Sequence, residues 1–157
     1  MRGGPETPPR ILWPMSVAEP ILGVMKITLA QPAGLVVSPA FSHVAVVPPG
    51  ATTIYIGGQN GVDDSGAVVS TDAGEQARRS VENARRALES ADASLDDVIS
   101  WTILLHQDVD LGAAYGAVAP MLARDGAPPL VTAALVAGLG VPGALIEVSA
   151  IAAVIRD

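Results

Sequence analysis

Residues 71–91 constrain this chain more than any other segment, because their apolar positions keep a helical period throughout. Ala77, Val81, Ala84, Leu88 and Ala91 form one stripe. Ser70 or Thr71 is available as the N-cap, and Asp72 and Glu75 suit the positive end of a helix. The pairs Glu75/Arg79 and Glu82/Arg86 stand four residues apart on the other face. Such a helix needs an apolar surface to cover its stripe, and the flanking sequence supplies one as strands.

Short apolar runs bounded by turn residues precede the helix at 35–37, 43–47 and 53–56, and read as a β-meander. Pro48-Pro49-Gly50 and Asp63-Asp64-Ser65-Gly66 are its turns. A strand at 98–105, a helix at 111–123 and strands at 130–136 and 145–154 follow. Consecutive strands mixed with crossover helices predict an α+β fold, a mixed sheet with two helices packed on one face. The other face then needs a cover, and a second copy of the chain is an economical one. Prolines interrupt residues 1–27, which read as an N-terminal extension, partly disordered or draped over a domain spanning 28–157. Met15 and Met25 are alternative starting points.

Composition excludes several classes of function. At 157 residues one domain is expected. A net charge of −7 and a single lysine, Lys26, speak against a nucleic-acid partner. A mean hydropathy of +0.43 reflects a rich core, but Gly, Pro and charged residues break every run before membrane-spanning length, so no membrane partner is expected. No cysteine is present, and His43 and His106 lack ligand spacing, so no metal and no cofactor is expected. With no secretory pattern among the early prolines, the expected location is cytoplasmic.

One residue stands out chemically. Glu147 is the sole carboxylate of an apolar final strand, where alternation sets it on a face with Leu145, Ser149 and Ile151. Two readings stand: a general base or ligand acceptor in an intersubunit cleft, or an interface glutamate capped by amides or by a neighbour's arginine. The run Gly57-Gly58-Gln59-Asn60-Gly61 follows a strand and offers backbone N–H groups, although it lacks any phosphate-loop pattern. Pro128-Pro129 stiffens the approach to Thr132, whose hydroxyl has no base near it in sequence. His106, between a strand and two aspartates, reads as a loop residue.

Several segments together resemble the RidA/YjgF family of reactive-intermediate imine deaminases. They are Phe41-Ser42-His43-Val44, Ile56-Gly57-Gly58-Gln59, the helix from Glu75-Gln76 through Ala93-Ser94-Leu95-Asp96-Asp97-Val98-Ile99, and Ile146-Glu147-Val148-Ser149-Ala150-Ile151-Ala152. The likeness covers about residues 31–155. It implies a chorismate-mutase-like fold, a homotrimer with intersubunit clefts, and a role for Glu147 in positioning the hydrolytic water. It also exposes departures. Val131 stands where deaminating members carry the arginine that binds the substrate carboxylate. Phe41 stands for a cleft tyrosine, Gly57 for a serine, Tyr115 for a helix asparagine, and Gly138 for a second arginine. Losing the charge-assisted fork weakens carboxylate binding by about 2–5 kcal/mol. The expectation is therefore a trimer that binds a small, non-carboxylate ligand, with Phe41, Gly58, Gln59, Tyr115, Val131 and Thr132 around it and Glu147 as the catalytic candidate. The alternatives are an imine or enamine hydrolase or tautomerase using Glu147 to activate water, and a non-catalytic interaction protein acting through Trp13 and Ile21-Leu22.

Overall fold

In the computed structural model, which describes residues 26–156, helix α1 (Ala73–Glu89) begins at Asp72, whose carboxylate accepts the Glu75 backbone N–H at 2.8 Å. The cap is thus one residue later than Ser70 or Thr71. The Ser70 hydroxyl instead accepts the Asp72 N–H and so braces the true cap. Ala77, Val81, Ala84 and Leu88 are buried as their spacing requires. On the outer face Arg85 and Arg86 grip Glu82, and Arg85 also reaches Glu89. The expected Glu75–Arg79 pair does not form, because Arg79 Nε is drawn to the Val62 carbonyl oxygen at 2.8 Å.

The main sheet has four strands in the order β3 (Thr52–Asn60), β6 (Ile146–Val154), β4 (Val98–His106), β5 (Leu130–Val136). Only β4 and β5 run parallel, joined by α2 (Leu111–Leu122), so the sheet is mixed. The fold class is the α+β arrangement read from the element order, with both helices on one side. Trp101, Leu105, Ile146, Val148, Ala150 and Ala152 meet α1 and its neighbours in the core.

The opening differs from a meander. Residues 35–37 form no strand and are exposed, because His43 Nε2 bonds the Val36 carbonyl oxygen and Gln31 clasps both the N–H and the carbonyl of Ser38. A loop results. The first strand among the described residues is instead β1 (Thr28–Ala30), antiparallel to β2 (Val44–Val46) in a separate ribbon. β3 bypasses β2 and pairs with β6 at the other end of the chain. Most of the expected extension, residues 1–25, lies outside the described residues. Among those described, no helix is long and apolar enough to cross a membrane.

Gln76 ties α1 to the sheet. It is fully buried, donates to the carbonyl oxygens of Ser70 at 2.7 Å and Gly143 at 3.1 Å, and accepts the Leu145 N–H at 2.8 Å. Replacing Gln76 with Leu keeps the volume and strands those three backbone groups. A loss of about 2–4 kcal/mol in unfolding free energy is expected, read by urea denaturation. A smaller acid effect follows from Glu82, whose carboxyl is held at about 2 chiefly by its hydrogen bond from Arg85. A folded-state value below the ordinary one means stability that is present above pH ~4.5 and lost as pH falls towards ~2. Glu82→Gln should flatten that limb of the pH–stability curve by no more than about 1 kcal/mol, as expected for a surface pair.

Candidate functional site

Glu147 is the second residue of β6, opposite Asn60 on β3 and Leu104 on β4. Strand alternation puts it with Ser149 and Ile151 on the face away from the helices, half-buried, while Ile146 and Val148 point into the core. Its carboxylate lies over Gly58. A Cβ built on Gly58 would stand 2.5 Å from Glu147 Oε1 and 2.7 Å from Cδ, so only glycine leaves room for the side chain as it lies.

The local chain explains this approach. β3 does not end at Ile56 with a loose loop after it, but runs on to Asn60 through a bulge at Gly57-Gly58, where the pairing jumps from Ile56–Ala150 to Gln59–Val148. Beyond the bulge, buried Asn60 donates to the Ile146 carbonyl oxygen at 3.0 Å and to Glu147 Oε2 at 3.4 Å. Asn83 of α1 in turn donates to the carbonyl oxygens of Asn60 and Val62. Gln59 turns back on its own strand and donates to the Gly57 carbonyl oxygen at 3.2 Å. Asn60, absent from the expected set, is the side chain that touches the carboxylate. The one signal for it was its place at the end of the glycine run.

The remaining expected residues divide between the two faces of the sheet. Thr132 pairs in register with Thr102, on the same open face as Glu147. Val131 pairs with Trp101 and points the other way, into a cavity of about 610 Å³ between the helices and strands β4 and β5. Phe41 and Tyr115 line that cavity too, Phe41 lying edge-on to His43 at 5.4 Å. Within one chain, Glu147, Gly58 and Thr132 therefore share the open face, Phe41, Tyr115 and Val131 share the cavity, and the sheet separates the two groups. His106 is occupied locally, its Nδ1 beside the Asp108 N–H at 3.3 Å. Among the described residues, no cation stands within 4.0 Å of the Glu147 carboxylate, and no cluster of three or more His, Asp or Glu residues is placed to hold a metal ion.

Residues 35–154 match the family model described as Endoribonuclease L-PSP. Among solved structures, YyfB of the Rid protein family from Yersinia pestis, a protein of unknown function, superposes with a TM-score of 0.71. It is 23% identical over 83% of this chain and 100% of its own, a likeness that speaks for the fold. An Entamoeba histolytica protein provisionally named endoribonuclease L-PSP is 30% identical, with a TM-score of 0.59 over 82% of this chain and 100% of its own. RidA from an Antarctic Psychrobacter is 26% identical, with a TM-score of 0.59 over 80% of this chain and 94% of its own. No match is found among curated proteins.

The contact with Gly58 is testable by itself. Because the crowded atoms are the mobile end of Glu147, Gly58→Ala should swing the carboxylate off the bulge at a cost of no more than about 1 kcal/mol. A crystal structure of the variant, with its thermal midpoint, checks both parts.

Proposed function

Since the chain belongs to the RidA/YjgF family, whose model carries the description Endoribonuclease L-PSP, we propose that it binds a small molecule lacking a carboxylate in clefts between the subunits of a homotrimer. The observation carrying this reading is the division of the candidate residues between opposite faces of one sheet. A site that uses both Glu147 and the Val131 side needs a second copy of the chain to join them. The open face supports such a contact: Tyr55, 75% exposed, Leu104 and Ile151 are apolar surface around Glu147, Thr102 and Thr132.

The ligand class rests on Val131. A valine can neither pair with nor donate to a carboxylate, so the cleft favours a neutral head group, with Gly58 and Gln59 supplying amides. RNA is a poor fit for a chain of charge −7, in which Arg85 and Arg86 are engaged by carboxylates and Arg79 and Arg156 by backbone carbonyls.

A second reading, hydrolysis or tautomerisation of a neutral imine or enamine, is favoured by the absence of a cationic partner near Glu147 among the described residues. A carboxylate held by one amide and free of an ion pair is suited to accept a proton from water.

Light scattering should give the mass of three chains. On a panel of imines with and without a carboxylate, turnover should be confined to the neutral members and should fall about 100-fold or more in Glu147→Gln without a change in mass. Val131→Arg should shift binding towards the carboxylate members. Unchanged turnover in Glu147→Gln removes the catalytic role, and a preference for carboxylates in the unaltered protein removes the ligand class.

A further inference from the structure

The chamber on the helix side of the sheet is deeper than a small polar ligand needs. α1 packs on β3 and β6, and α2 packs on α1 while standing off β4 and β5, which leaves about 610 Å³, within the range of small-molecule pockets. The cause lies in the sequence of α2. The side chains that it buries, Ala114 and Val118, are short, and the one phenylalanine of the chain, Phe41, stands in the loop before β2 and not under the helix.

Exposure distinguishes the mouth of the chamber from its far end. Tyr115 and Val131 are 56% and 37% exposed, whereas Val148 on β6 and Val81 on α1, which line the same space, are 4% and 3% exposed. The floor between them is one cross-strand row in register, Ala133 of β5, Ile103 of β4 and Val148 of β6. Neighbouring strands stand about 4.8 Å apart, so the row is about 10 Å long. An extended chain advances about 1.2 Å per bond, and about eight bonds therefore span it. The two charged lining residues, Asp96 and Arg124, also border a shallower pocket outside and so belong to the rim, one of each sign. Along the floor itself the side chains are apolar, so water there is poorly held and an apolar body that displaces it gains affinity.

We propose that the ligand of this chain is a medium-chain molecule, whose unbranched apolar body of about eight carbons runs inward from Val131 over Ile103 to Val148. Its head stays at the mouth, beside Tyr115. The proposal rests on the reading of Val131 as the mark of a carboxylate-free cleft for the nature of that head, and on the chamber alone for the length of the body. The required length is set inside one protomer and is independent of Glu147, which lies on the other face of the sheet.

Trp101 is buried against the chamber and provides the readout. In a Trp13→Phe background of the full chain, hexanol, octanol and octanoate are titrated by Trp101 fluorescence. Octanol should bind saturably and about tenfold more tightly than hexanol, as burial of two further methylenes requires. Val118→Phe, which lowers the roof, should bring the two alcohols to within about threefold of each other. No saturable binding of octanol, equal affinities for the two alcohols, or an advantage of octanol that survives Val118→Phe overturns the proposal. The comparison of the alcohols needs no substitution in the chamber, so it decides the matter even if Val118→Phe does not fold. Octanoate tests the head group separately. If it binds as tightly as octanol, the carboxylate-free reading fails and the length requirement stands; if octanol is preferred to octanoate but not to hexanol, that reading stands and the proposal fails.

Discussion

The three hydrogen bonds of Gln76 are the constraint from which the Glu147 face follows. They fix the first turn of α1 against the loop that starts β6, and they leave no space between that helix and β3. A Cβ on Gly61 would stand 2.7 Å from the Gln76 backbone, so the end of β3 passes directly against the helix. Asn83, two turns further along α1, holds the Asn60 and Val62 carbonyls. Asn60 thereby has one orientation, towards Ile146 and Glu147. The carboxylate is positioned by a buried amide network that begins on a helix it never touches, and such a network is rigid only when every member is satisfied.

The bulge at Gly57-Gly58 does two things at once. It lets β3 continue past a point where regular pairing would put a side chain in the way of Glu147, and it resets the register so that Asn60 rather than Gln59 faces the carboxylate. One inserted residue exchanges which neighbour lies on which face. The same parity separates Val131 from Thr132 on β5. Adjacent in sequence and both assigned to one site, they lie on opposite sides of the sheet and can contribute to one pocket only through a neighbouring subunit.

How far the sequence discloses this differs by residue. The helix over Ala77, Val81, Ala84 and Leu88 was legible because burial follows its period, and the later strands because their apolar runs are bounded by Pro and Gly. Residues 35–37 mislead because three consecutive apolar residues satisfy a strand pattern, while the groups that hold them as a loop, His43 on the Val36 carbonyl and Gln31 on the adjoining Ser38, are set by tertiary contacts. The glycine run looked like a loop because glycine marks both turns and bulges, and sequence alone does not separate them. Glu147 was legible as an anomaly of composition; Asn60 was not, since a buried asparagine is recognised only by its partners. The opposed faces of Val131 and Glu147 follow from register, which no local pattern specifies.

The cavity raises an energetic question of its own. An enclosed void costs about 24 cal/mol per Å³, so a sealed and empty space of about 610 Å³ would cost about 15 kcal/mol, as much as the whole stability of an ordinary domain. The chamber cannot be both closed and dry. α2 is built to tolerate the alternative. Only Ala114 and Val118 of its residues are buried, Pro120 interrupts its hydrogen bonds, and Tyr115 remains exposed beside the opening. A helix held by so little of its own surface can stand off the sheet without a large loss of packing. The feature that weakens the α2 layer is therefore the one that opens the chamber on the side of the sheet away from Glu147.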